Sequence, residues 1–155
     1  MRFLFASLLC LSSFAAVAQE LGPDFAKRVR DFVAASNRQD VEAMVAATVP
    51  DFRWIQVAGE QAGVEVAGHS DLRHWMQSYF ASTPDAHAEV GPVAVHGLFA
   101  STVETSSWTR SDGRKAVQTA TSVYEFSPEG LIRHVWYFNA QSQPGKEDDP
   151  APPAA

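Results

Sequence analysis

Apolar residues recur at the spacing of an amphipathic helix in three stretches of the first half of the chain. The first helix is predicted to open at Pro23 and Asp24, because proline suits a first turn and an acid suits the positive end of the helix dipole. Asp40 is the predicted N-cap of a second, shorter helix that Pro50 stops, and Ser70 is the predicted cap of a third helix.

The pattern changes in the second half of the chain, where apolar and polar residues alternate as in a half-buried strand. Alternation over residues 52–57 predicts one earlier strand, followed by a loop or short hairpin over 59–68. The later strands are predicted near 88–96, 98–110, 114–126 and 131–138. Asp112-Gly113 between two such runs is typical of a β-hairpin.

Helices followed by a run of antiparallel strands predict an α+β fold. A long curved sheet with helices on one face leaves a space between the two layers, and ligands bind in such spaces. The length of 155 residues suits one domain with a hydrophobic core.

Residues 1–18 have the pattern of a secretory signal peptide. Arg2 supplies the positive charge, residues 3–17 are apolar, and Ala16-Val17-Ala18 is a small-x-small cleavage site. The alternative is a buried N-terminal helix. The only cysteine, Cys10, lies in this segment, so no disulfide is expected after cleavage. We therefore expect a periplasmic or secreted protein that does not associate with the membrane once the signal is removed.

The C-terminal residues 141–155, QSQPGKEDDPAPPAA, combine proline, alanine and charge without an apolar face and predict a disordered tail. The folded domain is therefore predicted over residues 19–140. The formal net charge is −6 and no extended cluster of lysine or arginine occurs, so we expect no nucleic-acid partner.

Three stretches together resemble the nuclear transport factor 2-like superfamily, which includes the SnoaL-like domains. They are residues 37–54, NRQDVEAMVAATVPDFRW, residues 68–80, GHSDLRHWMQSYF, and residues 122–139, SVYEFSPEGLIRHVWYFN. The resemblance implies a cone-shaped fold, in which a curved antiparallel sheet packs against three N-terminal helices and encloses a pocket. The alternative is another α+β sandwich.

Ketosteroid isomerase, a member of this superfamily, uses a carboxylate base and an oxyanion hole made of a tyrosine and a protonated acid. The resemblance places the base on Gln56, the tyrosine on Phe32, the acid on Ser122 and a further pocket tyrosine on Met76. None of the four has the required group, so we expect the chain to lack this isomerase activity. The late aspartate of epoxide-hydrolase-like members corresponds to Asn139.

The same resemblance predicts the lining of the pocket, with one parity of the strands facing inward. The predicted lining residues are Phe32, Trp54, Gln56, Trp75, Met76, Thr105, Ser107, Gln118, Ser122, Val135 and Tyr137. The opposite parity carries Trp108, Val117, Val123, Trp136 and Phe138. This outer set is too apolar to face water, so a homodimer that covers it is expected. The competing interpretation exchanges the two faces, because a slip of one residue inverts every side chain.

No cofactor or metal is predicted, because the five histidines lack the spacing of a metal site: His69, His74, His87, His96 and His134. Glu104, a lone acid on a predicted strand, is interpreted as an exposed residue rather than as a general acid or base. His134 is interpreted in the same way. No catalytic residue is assigned.

The leading functional hypothesis is an exported pocket protein that binds a small, hydrophobic or amphipathic molecule. One alternative is an isomerase, cyclase or dehydratase with a non-standard site that uses Tyr137, Glu104 or His134. The other alternative is a dimeric interaction module without a ligand.

Overall fold

The computed structural model describes residues 22–142. The predicted signal peptide, including Cys10, and residues 143–155 of the predicted tail lie outside the described residues. The last strand continues to Ser142, two positions beyond the predicted end of the domain at residue 140.

The three predicted helices are present as α1 Phe25–Asn37, α2 Val41–Ala46 and α3 Gly68–Ser82. The predicted cap at Asp40 is confirmed, since its side chain accepts from the Ala43 N–H. The first helix opens at Asp24 as predicted, and Asp24 is its N-cap, with a side chain that accepts from the Lys27 N–H. None of these helices of the described chain is long and apolar enough to cross a membrane.

Two predicted helix boundaries are wrong. The cap of α3 is Ala67 rather than Ser70, which lies within the first turn of the helix. The chain enters α3 through Gly68, where φ is +83° and a Cβ atom would lie 3.2 Å from the Pro50 carbonyl oxygen. Pro50 does not stop α2, which ends at Ala46, but lies where the pairing of the next strand is irregular.

Seven strands form one sheet: β1 Thr48–Ala58, β2 Gln61–Ala67, β3 His87–Val90, β4 Ala94–His96, β5 Phe99–Thr109, β6 Lys115–Phe126 and β7 Ile132–Ser142. Their order is β2-β1-β7-β6-β5-β3, with β4 also paired to β5. The α+β class is therefore confirmed. The β1–β2 hairpin lies between α2 and α3, so only the first two helices precede the sheet in the chain.

The structure corrects two details of the predicted sheet. β1 and β7 pair in parallel, whereas all other pairs are antiparallel. The strand predicted over residues 88–96 is divided into β3 and β4. The division occurs at Gly91, whose N–H donates to the Val103 carbonyl at 2.9 Å and whose Cα approaches that strand too closely for an ordinary side chain.

The hydrophobic core lies between the helices and one face of the sheet. It joins Val29 and Phe32 of α1, Met44 of α2, and Leu72 and Met76 of α3 to buried sheet residues that include Phe52, Tyr124, Phe126 and Val135. Burial of these side chains supplies the main favourable free energy of this packing.

Asn37 fastens the end of α1 to the opposite edge of the sheet. Its side-chain amide donates to the Ala88 carbonyl and accepts from the Ala88 N–H, both at 2.8 Å. This pair of hydrogen bonds sets the spacing between helix and strand, and the cavity described below lies within the space that they frame.

Candidate functional site

A cavity of about 380 Å³ lies between the three helices and the inner face of the sheet. Seven of the predicted lining residues border it: Phe32, Trp54, Gln56, Trp75, Met76, Gln118 and Tyr137. The register explains their meeting on β1 and β7, because Gln56 pairs with Tyr137 and Trp54 with Val135.

Aromatic rings form much of the cavity wall. The ring centroid of Trp54 lies 5.4 Å from that of Trp75, 6.3 Å from that of Tyr137 and 6.4 Å from that of Phe32. Trp75 in turn stacks on Tyr79, which is four residues later on α3. This wall suits a ligand with flat, apolar surfaces.

The predicted inward parity of β5 is wrong. Glu104, Ser106 and Trp108 line the cavity, whereas Thr105 and Ser107 lie on the other face of the strand. Trp108 had been expected on the outer face. The cause is a slip of one residue, since the pairs Ser106–Gln118 and Glu104–Ala120 put the even-numbered residues of β5 beside the inward residues of β6.

Ser122 and Val135 lie on the inner face as predicted, but they do not border the cavity. Both are completely buried, and Val135 belongs to the hydrophobic core. Ser122 and Gln56 flank Tyr137 in one row across the sheet. Ser122 therefore shares a face with Gln56. It does not border the cavity, but it contacts Glu104, which does.

Glu104 is only 7% exposed, so its interpretation as an exposed strand residue is wrong. The hydroxyl of Ser122 donates to its Oε1 atom, and the hydroxyl of Tyr124 donates to the same atom at 2.6 Å. The second carboxyl oxygen, Oε2, has no hydrogen-bond partner among the described side chains, those of residues 22–138. No side-chain oxygen of these described residues is both fully buried and without a hydrogen-bond partner. Oε2 is therefore not fully buried, and it is accessible from the cavity that Glu104 lines.

Burial raises the pKa of Glu104, and the hydrogen bonds from Ser122 and Tyr124 offset part of this rise. Burial also raises the pKa of Tyr137 to about 12, helped by the negative charge of Glu104, and raises the pKa of Tyr124 well above its ordinary value. The phenols are therefore neutral donors near neutral pH. The raised pKa of Glu104 moves the loss of its proton to higher pH than in an exposed glutamate.

His134 lies away from the cavity, on the outer face of β7. Its Nδ1 atom is 2.7 Å from a carboxylate oxygen of Glu125, and its ring lies 5.3 Å from that of Trp136. The partner is an acid on the neighbouring strand, and this pairing gives His134 a structural role. No group of three or more histidine, cysteine, aspartate or glutamate side chains able to hold a metal occurs in the described part of the chain.

Several lining residues were not predicted from the sequence, among them Ser36, Glu65, Tyr79, Glu104 and Trp108. Tyr79 follows Trp75 at helical spacing, a signal that was sufficient to find it. Glu104 and Trp108 were not predicted because the odd-numbered residues of β5 were expected to face the cavity, whereas the even-numbered residues do. Glu65 lies beside an irregularity in the β1–β2 pairing, which no local pattern predicts.

The family model of the SnoaL-like domain matches residues 29–135. The chain belongs to the SnoaL-like domain family. The matched range contains most of the helices and strands that enclose the cavity, but it ends within β7, so the lining residue Tyr137 lies beyond it. No curated protein matches the chain in sequence.

Solved structures of SnoaL-like and related domains share this fold at low sequence identity. An uncharacterized cystatin-fold protein from Novosphingobium aromaticivorans is 21% identical, with a TM-score of 0.67 over 76% of this chain and 100% of that chain. A nuclear transport factor 2-like protein of unknown function from Burkholderia pseudomallei is 19% identical, with a TM-score of 0.64 over 78% of this chain and 92% of that chain.

SalBIII, an epoxide hydrolase/cyclase-like enzyme of pyran ring formation in the polyether salinomycin, is 18% identical. Its TM-score is 0.63 over 74% of this chain and 88% of that chain. At this identity the likeness concerns the fold alone.

Proposed function

We propose that this SnoaL-like domain binds a small, mainly apolar molecule in its cavity, with Glu104 contacting the polar group of that molecule. One observation carries the proposal: an aromatic cavity of about 380 Å³ that contains a buried carboxyl with an unpartnered oxygen. The volume lies within the range of about 300–1,000 Å³ that is usual for small-molecule sites.

The cavity walls support this proposal because they separate two kinds of contact. Trp54, Trp75 and Tyr79 offer apolar ring surface on one side, and Glu104 and Gln118 offer polar atoms on the sheet. A ligand that matches both is held in one orientation, because its polar group finds a partner at only a few positions.

Tryptophan fluorescence titration with 2-naphthol, an uncharged aromatic molecule with one hydroxyl, tests the proposal. Ser106→Phe fills the cavity and should abolish binding, whereas Ser107→Phe, the same change one residue later, points to the outer face and should leave it intact. Equal binding by both variants would place the ligand elsewhere and contradict the proposal.

Proton-transfer catalysis is a second candidate function, and the raised pKa of Glu104 beside its open Oε2 atom favours it. The carboxylate would take a proton from the carbon next to a ligand carbonyl and return it at another position. Deuterium exchange into small neutral ketones in heavy water, followed by NMR, should then depend on Glu104 and stop in Glu104→Gln. Unchanged exchange in that variant would remove this candidate.

We still expect the protein to lack the steroid isomerisation that ketosteroid isomerase performs. The positions of its base, tyrosine and further tyrosine are Gln56, Phe32 and Met76, and all three border the cavity without an ionisable group. Rapid turnover of a 3-oxo-Δ5 steroid would show that this expectation is wrong.

We also propose that the protein is exported and that signal cleavage leaves Gln19 at its start. The support is the pattern of residues 1–18, in which a positive charge, an apolar run and a small-x-small site follow in order. Intact-mass measurement of protein purified from its native host tests this, and a product that retains Met1 would contradict it.

We further propose a homodimer through the outer face of the sheet. Phe99, Val103 and Phe138 are 45%, 50% and 39% exposed on this face, which is unusual for large apolar side chains so close together. The register adds a continuous row in which Val123, Trp136, Ile55 and Val64 are successive neighbours across four strands. A second copy offers the same surface about a two-fold axis, and about 800 Å² per subunit is the usual area of a stable interface.

A further inference from the structure

We propose that the ligand of the cavity is an organic cation, an amine or quaternary ammonium compound, whose charged group lies between the aromatic wall and Glu104. This inference rests on the proposed small-molecule-binding function and specifies the charge of the ligand. It depends on three features of the cavity: the charges of its lining, its aromatic rings, and the carboxyl of Glu104, which lacks a cationic partner.

The charges of the cavity disfavour an anion. Glu65 and Glu104 both line it, and none of the lining residues described is lysine, arginine or histidine. An anionic ligand would therefore meet two acids without a positive partner and would lose its hydration in an apolar site. The formal net charge of −6 also favours the approach of cations over anions.

The rings of the aromatic wall provide the second feature. The ring centroid of Trp54 lies within 6.4 Å of the ring centroids of Phe32, Trp75 and Tyr137. The ring planes of these pairs are tilted by 35° to 49° rather than stacked face to face. Tilted rings around one space present faces and edges to the same ligand. The face of an indole or phenol ring attracts an ammonium group within about 6 Å, and tryptophan does so most strongly.

The carboxyl of Glu104 provides the third feature. Hydroxyl groups of Ser122 and Tyr124 donate to its Oε1 atom, an arrangement that stabilises the ionised form. Among the side chains of residues 22–138, none that is cationic forms a salt bridge with Glu104. A buried carboxylate without a positive partner is unfavourable, and a cationic ligand beside Oε2 supplies that partner.

Cation recognition and simple apolar binding are separated by probes of equal shape. The probes are benzyltrimethylammonium, its neutral carbon isostere neopentylbenzene, and the anion phenylmethanesulfonate. Titration of the purified, full-length mature protein by tryptophan fluorescence and by saturation-transfer NMR measures each affinity. We expect the ammonium probe to bind about tenfold more tightly than the neutral isostere, and the sulfonate to bind more weakly than both.

Two variants locate the effect. Glu104→Gln should lower the affinity for the ammonium probe about tenfold and leave the neutral isostere nearly unchanged. The matched control Glu89→Gln removes an equal charge from an exposed position of β3, beside Thr105 on the face away from the cavity, and should change neither. Trp54→Leu provides a second cavity variant, with the same expected loss of preference for the cation.

The outcomes distinguish this inference from the function on which it rests. Equal binding of the ammonium probe and the neutral isostere, or tighter binding of the sulfonate, would overturn the cation and leave the apolar cavity function standing. Failure of all three probes to bind would overturn both. The comparison of probes on the unmodified protein decides the matter even if a variant fails to fold.

Discussion

Each face of the sheet carries residues that depart from the usual division into buried apolar and exposed polar side chains. The covered inner face contains an acid and two hydroxyl groups, Glu104, Ser122 and Tyr124, among its most buried side chains. The exposed outer face carries Phe99, Val103 and Trp136 instead. The inner polar groups are tolerated because they hydrogen-bond to one another. On the outer face Phe99 contacts Trp136, but Phe99 and Val103 remain 45% and 50% exposed.

The polarity of a side chain alone therefore does not identify the solvent side of a strand. Buried polar groups in a cavity indicate ligand contact, and exposed apolar rows indicate contact with another protein. The two faces therefore predict different consequences for equivalent changes.

The largest expected effect is on assembly. Trp136→Glu places a charge in the outer row between Val123 and Ile55 and should weaken a homodimer about 100-fold or more, because the carboxylate would be buried without a partner. Analytical ultracentrifugation at micromolar concentration measures this, with Gln77→Glu on the exposed side of α3 as the control. An unmodified protein that sediments as a monomer would show that this face has another role.

The next effect concerns the hydroxyl groups of β6. Tyr124→Phe removes one of the two donors to Glu104 and should lower the free energy of unfolding by about 1–3 kcal/mol, because the carboxyl is buried and loses a partner. Thr121→Val removes a hydroxyl from the exposed face of the same strand and should change it by less than about 0.5 kcal/mol. Denaturant unfolding compares them, and equal losses would contradict the distinction between the faces.

A pH dependence follows from Glu104. Burial raises its pKa above the ordinary value of 4.5, so the folded protein binds this proton more tightly than the unfolded chain. The free energy of unfolding should therefore fall as the pH rises from about 4.5 to the folded pKa, by about 1.4 kcal/mol for each unit of the shift.

Glu104→Gln has no proton to lose, so its stability relative to the original protein should increase over that interval. Urea unfolding of both proteins between about pH 4 and pH 8 measures the difference. A difference that stays constant with pH would mean that Glu104 is not desolvated in the folded protein.

The smallest effect is expected for the contact between His134 and Glu125 on the outer face. His134 and Glu125 are each about a quarter exposed, so His134→Gln should change the free energy of unfolding by less than about 1 kcal/mol. The His134→Gln substitution should not change ligand affinity, because His134 and Glu125 lie on the face away from the cavity. A loss of affinity equal to that of Glu104→Gln would contradict the assignment of His134 to a structural role.

Much of the fold was predictable because the signals that define helices and strands are local. The caps at Asp24 and Asp40 act on N–H groups three residues away, and helical spacing brought Trp75 and Met76 to one side of α3. Alternation within one strand also put Trp54 and Gln56 on one face, and the family resemblance assigned that face to the pocket. The candidate site was predicted where its residues share an element or a correctly assigned parity.

The tertiary structure alone decided the facing of β5 and, with it, the environment of Glu104. Alternation with a period of two divides the residues of a strand into two sets, but it does not state which set faces the helices. That choice depends on pairing with β3 and β6 and on packing against α1, contacts between residues far apart in the chain. The same long-range pairing placed β1 parallel to β7 and brought Ser122 and Tyr124 to one carboxyl oxygen, because local periodicity does not specify the partners of a strand.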